Sequence, residues 1–148
     1  MLKHTIAMAA MVAGLAGPAA AEMIEKTSPK SVAETMDALE AAVTEAGATV
    51  FARVDHAAGA ASVDMELDDA QLLIFGNPRL GTLAMQADML AGLQLPLRVL
   101  VYDSNAGTIV AYESVDQMFD GLDVPLDAEF VENMRGALRA LTGKAVTQ

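Results

Sequence analysis

The chain has 148 residues, no cysteine, and 9 Lys/Arg against 20 Asp/Glu, for a formal charge of −11. Nucleic acid and anionic membrane surfaces attract positive charge, so neither is expected as a partner, and without thiols no disulfide or thiolate metal site can form. The length suits one domain with one hydrophobic core.

The first residues are ordered as in a secretory signal. Met1-Leu2-Lys3-His4 precedes the apolar run Ile6 to Ala16, and Gly17-Pro18-Ala19-Ala20-Ala21 supplies small residues before Glu22. Cleavage after Ala21 is expected, leaving a periplasmic or secreted domain of residues 22–148. Loss of Lys3 leaves 8 basic against 20 acidic residues, a formal charge of −12. The apolar run is well short of the roughly 20 residues that span a bilayer, and no later stretch is as long and apolar. No membrane span is predicted after cleavage.

Residues 22–27 predict a short strand. Ser31 and Glu34 then have the spacing of a capping box, and Val32, Met36, Leu39, Val43 and Ala46 recur at helical intervals, with Gly47 as the stop. Thr49 to Val54 alternates, placing Val50, Ala52 and Val54 on one face of a strand and Thr49, Phe51 and Arg53 on the other. Residues 57–61 suit a short helix before a loop at 64–69. Gln71 to Phe75 is nearly continuously apolar, which predicts an interior strand covered on both faces and stopped by Gly76-Asn77-Pro78.

A helix is expected over 82–89. Residues 97–102 and 108–112 predict a hairpin joined by Asp103 to Gly107. Ser114 and Gln117 cap a short helix that Gly121 closes. A last helix over about 127–142 carries Phe130, Met134, Ala137, Leu138 and Leu141 as its buried stripe, with acids near its start and Arg135, Arg139 and Lys144 near its end. The order strand, helix, strand, strand, helix, strand, strand, helix predicts an α+β domain. Its sheet should be mainly antiparallel or mixed, with helices packed mainly on one face.

Within this frame Phe51-Ala52-Arg53-Val54-Asp55-His56, Leu72-Leu73-Ile74-Phe75-Gly76-Asn77-Pro78, Gly81-Thr82, Met85-Gln86 and Leu95-Pro96-Leu97 stand in an order that resembles the domain-of-unknown-function family 302. The resemblance covers about residues 31–122. It implies a small α/β fold, often exported in bacteria and sometimes dimeric, with no settled activity to inherit. Asp69 and Leu83 stand where such relatives often carry proline, a departure that bears on loop geometry.

Candidate chemistry gathers at predicted strand ends. His56, the only histidine left after export, follows Asp55, which could hold the imidazole in one tautomer and leave its other nitrogen as a base or metal ligand. The alternative is a turn in which Asp55 caps local backbone. Asn77, Arg79 and Thr82 form a strand-to-helix loop whose N–H groups and guanidinium suit an anion, although it lacks the glycine-lysine frame of a phosphate loop and also suits plain turn and cap chemistry. His56 with Met85 offers imidazole and thioether donors to copper or haem, against the usual role of methionine as core filling. Ser62, Ser104 and Ser114 lie in no Gly-x-Ser-x-Gly turn, so a serine hydrolase is not indicated.

The leading expectation is non-enzymatic binding of a small molecule or metal in a pocket shared by His56, Asn77 and Gln86, with Asp55, Arg79 and Thr82 contributing. One alternative is a protein-interaction or homodimerisation module using an exposed edge of the 97–112 hairpin. Another is an enzyme with Asp55-His56 as its acid/base pair.

Overall fold

A computed structural model describes residues 22–147, so the predicted export signal at 1–21 lies outside the described residues. Five strands, β1 (Met23–Ser28), β2 (Thr49–Asp55), β3 (Ala70–Gly76), β4 (Leu97–Ser104) and β5 (Gly107–Glu113), form one sheet in the order β1-β5-β4-β3-β2. Every pairing is antiparallel. The helices are α1 (Val32–Glu45), α2 (His56–Ala61), α3 (Pro78–Ala87), α4 (Val115–Met118) and α5 (Glu129–Val146), with a 3₁₀ turn at Met89–Leu93. The predicted α+β domain is thus the observed one.

Helices α1 and α5 form the layer over the sheet. Ser31 starts α1 as a reciprocal cap: its hydroxyl accepts from the Glu34 N–H at 3.3 Å, and the Glu34 carboxylate accepts from the Ser31 N–H at 3.1 Å. The Ser31 hydroxyl also donates to that carboxylate at 2.7 Å, and this bond, followed by the one from the Ser31 N–H, holds the Glu34 carboxyl below its usual range. The buried side of α1 carries Val32, Met36, Leu39 and Val43, and that of α5 carries Val131, Met134, Leu138 and Leu141. Both stripes meet Leu73, Phe75, Leu97, Val99, Val101, Val110 and Tyr112 from one face of the sheet. Alternation along the strands delivers these residues to the same side.

Lys26 on β1 and Lys30 in the turn that follows it anchor the C-terminal half of α5. Lys26 Nζ donates to the Arg139 carbonyl at 3.0 Å and to Thr142 Oγ1 at 2.7 Å, while Lys30 Nζ donates to the Ala145 and Thr147 carbonyls. The last carbonyls of a helix, here that of Ala145, lack intrahelical donors and carry partial negative charge, so the Lys30 ammonium suits them. Burial, followed by the nearby Arg139 charge, lowers the Lys26 pKa.

Four local expectations are corrected. A bulge between Val50 and Ala52 breaks the alternation of β2, so Val50 packs toward the core beside Phe75 while Ala52 pairs with Ile74 on the opposite face. The interior strand β3 is covered by helices on one side only, leaving Leu72 and Ile74 half-buried on the other. Helix α3 starts at Pro78 rather than at residue 82, because Asn77 is its N-cap and proline occupies the first turn, where no N–H is needed. The β4–β5 hairpin lies in the middle of the sheet, so the free edges belong to β1 and β2 and the proposed hairpin edge does not exist.

Asp88 joins the end of α3 to the rest of the fold. Its carboxylate accepts from the Asp123 N–H at 3.0 Å and from the Leu90 N–H at 2.9 Å, and these bonds lower its pKa. A carboxyl with a lowered folded pKa contributes stability above its unfolded value, and that stability is lost as pH falls through the folded one. Asp88→Ala is therefore expected to lower the melting temperature at neutral pH. It should also flatten the fall in melting temperature that wild type shows below pH 3.8, the ordinary aspartate value, in scans across the acid range.

Core and surface should respond differently to truncation. Leu39 is fully buried, so Leu39→Ala should cost about 2–5 kcal/mol in urea unfolding. Glu45 and Lys144 pair with both side chains largely exposed, so Glu45→Gln should stay within about 0.5 kcal/mol of wild type.

Candidate functional site

The inner layer leaves a cavity of about 360 Å³ at the end of the sheet where β2 and β4 begin and β3 ends. Such a volume falls at the lower end of the roughly 300–1,000 Å³ of small-molecule sites. Phe75 and Leu97 reach it from the sheet, and Met134, Ala137 and Leu141 from α5. Ala46 and Ala48 flank the end of α1, and Phe51 comes from the β2 bulge. Asn77, Pro78, Leu80, Gly81, Thr82 and Met85 are presented by α3, and Leu95-Pro96 complete the wall.

The space exists because small residues stand where the layers converge. Ala46, Ala48, Gly81 and Ala137 bring backbone to the wall without filling the interior. Gly92 acts differently: a Cβ there would stand 2.9 Å from Cε of Met85, so a larger residue would make the flexible end of this lining side chain shift. The bulge turns Phe51, 54% exposed, toward the mouth.

Among the described residues no Asp, Glu, His, Lys or Arg lines the cavity. The polar groups at the rim are Asn77 and Thr82. Asn77 Oδ1 accepts the Arg79 N–H at 2.9 Å and Thr82 Oγ1 donates to the Pro78 carbonyl at 2.8 Å, so each steadies the first turn of α3. Among the described residues the amide nitrogen of Asn77 has no hydrogen-bond partner, which leaves two N–H donors for a guest at the mouth.

The residues expected to share one pocket are separated. Asp55 pairs with Gln71 at one end of β3, whereas Asn77 follows the other end, six residues on, which at about 3.4 Å per residue puts the two turns about 20 Å apart. His56 is exposed at the first position of α2, and Asp55 Oδ1 accepts the Ala58 N–H at 2.8 Å as that helix's cap. Asp55 therefore does not orient His56, and the turn-and-cap reading describes it. Gln86 and Arg79 are exposed on α3 and absent from the cavity wall. Asn77, Thr82 and Met85 are the expected residues that do line it.

The His56–Met85 metal pair fails for the same reason, since Met85 faces the cavity at the other end of the sheet from His56. Among the described residues no group of three or more His, Asp or Glu is placed to hold a metal ion. The contributions of Phe51, Leu95 and α5 were missed from sequence. Phe51 alone gave a signal, as a large aromatic residue out of phase with its apolar neighbours on β2.

The fold matches the crystal structure of an uncharacterized conserved DUF302 protein from Bacillus stearothermophilus with a TM-score of 0.75, over 83% of this chain and 97% of that one, at 17% identity. Over 87 residues the chain is 40% identical to proteins named fluoride-specific ion channel FluC 1 from Brucella suis biovar 1 (strain 1330) and Brucella abortus biovar 1 (strain 9-941). That stretch is 59% of this chain but only 34% and 32% of theirs, so the chain spans about a third of the length of these relatives. Residues 24–141, nearly all of the folded unit, match the model for the domain of unknown function DUF302, and the chain belongs to that family.

Proposed function

We propose that the protein is an exported, non-enzymatic binding module that holds a small uncharged apolar molecule between α3, α5 and the ends of β2 to β4. The observation that carries this reading is a cavity of about 360 Å³ walled by aromatic, aliphatic and thioether side chains without one ionisable group. Burying a charge there would go uncompensated, whereas each buried methylene of a guest gains about 0.8 kcal/mol. Acid–base catalysis needs a side chain that can move a proton, and the lining offers none near neutral pH. Asn77 at the rim supplies a donor that would orient a carbonyl or hydroxyl on the guest.

The neutral dye N-phenyl-1-naphthylamine is the probe. It should bind with a saturable rise in fluorescence, and at 100-fold excess over Kd should raise the melting temperature by on the order of 10 °C. Ala137→Phe, which fills the cavity from α5, should abolish both effects while keeping the wild-type circular dichroism. His56→Ala, at the far end of the sheet, should change neither. Failure of wild type to bind, or undiminished binding by Ala137→Phe, would sink the reading.

The channel relatives raise fluoride as a second ligand. The cavity has no cationic residue to hold an anion, and the acidic chain repels one. Sodium fluoride is therefore expected to leave the melting temperature where an equal concentration of sodium chloride leaves it. A specific rise would transfer the site to the fluoride anion.

A further inference from the structure

The cavity changes character from one end to the other. Phe75, Leu97, Met134 and Leu141 are its deepest residues, each 6% exposed or less, whereas Phe51, Asn77, Pro78 and Thr82 stand exposed around its mouth. Both polar side chains of the lining, Asn77 and Thr82, belong to the mouth. A guest that fills the space can therefore be polar at one end only.

Hydrogen bonds already made decide what the mouth still offers. The Asn77 oxygen is the acceptor that caps α3, so the amide nitrogen is the atom left over, with both hydrogens unclaimed among the described residues. The Thr82 hydroxyl already donates to the Pro78 carbonyl, and Pro78 has no N–H of its own. The side-chain donor available to a guest is thus one neutral amide. Its natural complement is an uncharged acceptor, and a carbonyl supplies one without bringing a proton that needs a partner. A carboxylate would give up water for this single neutral donor on a chain of formal charge −11, and Arg79 is off the cavity wall.

Volume sets the size of the guest. A methylene takes about the space of a water molecule, roughly 30 Å³, so a cavity of about 360 Å³ holds on the order of twelve chain atoms. We propose, on the strength of the binding reading above, that the guest is a neutral amphiphile of on the order of twelve non-hydrogen atoms, with one carbonyl held at Asn77 and an apolar body reaching α5. Asn77 selects the head, and Ala137 limits the length.

Displacement of N-phenyl-1-naphthylamine by straight-chain methyl ketones of increasing length tests this. Affinity should tighten about fourfold with each added methylene and then level off at about twelve chain atoms, because later methylenes remain in water. Ala137→Val adds two carbons to the α5 wall and should bring the plateau in by about two chain atoms. Asn77→Asp keeps the oxygen that caps α3 and removes the amide donors, so the preference for a ketone over the terminal alkene of equal length should fall about fivefold.

Ketone affinity that climbs without a plateau, a preference untouched by Asn77→Asp, or a fatty acid that binds more tightly than the ketone of equal length would overturn the proposal and leave the cavity a binding site. A wild type that never takes up the dye would remove both. Should Ala137→Val fail to fold, the wild-type plateau and the Asn77→Asp preference decide.

Discussion

Side chains leave each strand alternately toward two faces, but α1 and α5 bury only one of them, and the rest of the molecule follows from that inequality. Leu73, Phe75, Val99, Val101 and Val110 are removed from water on the covered side. Their neighbours Leu72, Ile74 and Leu100 remain half-buried on the other. Anything that disturbs the seating of α5 therefore disturbs the whole core. Its attachment to Lys26 on β1 and to Lys30 in the turn after β1, more than a hundred residues away in sequence, closes the two ends of the domain on each other.

The cavity is a consequence of how that layer ends. Helices α1 and α5 cover the middle of the sheet, but α1 finishes at Glu45 and hands over to Ala46 and Ala48, residues too small to fill the corner. Helix α3 enters the same corner with Asn77 as its cap and Pro78 in its first turn, so backbone and a short rim of polar atoms arrive where a large side chain would otherwise complete the core. Met85, held under Gly92, and Phe51, turned by the bulge, border the remaining space. An opening formed in this way is apolar by inheritance, because core residues make its walls.

The histidine turn and the asparagine turn mark opposite ends of one hairpin, so strand length alone keeps their chemistries apart. The long connection between β2 and β3 collects acidic residues and exposed Val63, Met65 and Leu67 around α2, while the other end collects the cavity. The two faces of the sheet differ, an inner one that ends in the cavity and an outer one that α1 and α5 leave uncovered. They share β3, whose Phe75 borders the first and whose Leu72 and Ile74 belong to the second.

Local pattern was enough to determine much of this. The Ser31–Glu34 cap, the helical stripe of α1, the β4–β5 hairpin and the stripe of α5 each depend on residues a few positions apart, so periodicity and cap chemistry identify them in the linear chain. The family was legible too, from short motifs in order. Strand order, the covered face of β3, the bulge at Phe51 and the distance from His56 to Asn77 were not. Each depends on which distant segment pairs with which, and an apolar run such as 72–75 reads the same whether one side or both is covered. The cavity was decided later still, because a void belongs to no residue: it arises only when Ala46, Phe51, Met85 and Ala137, scattered over ninety positions, are brought to one corner and together fail to fill it.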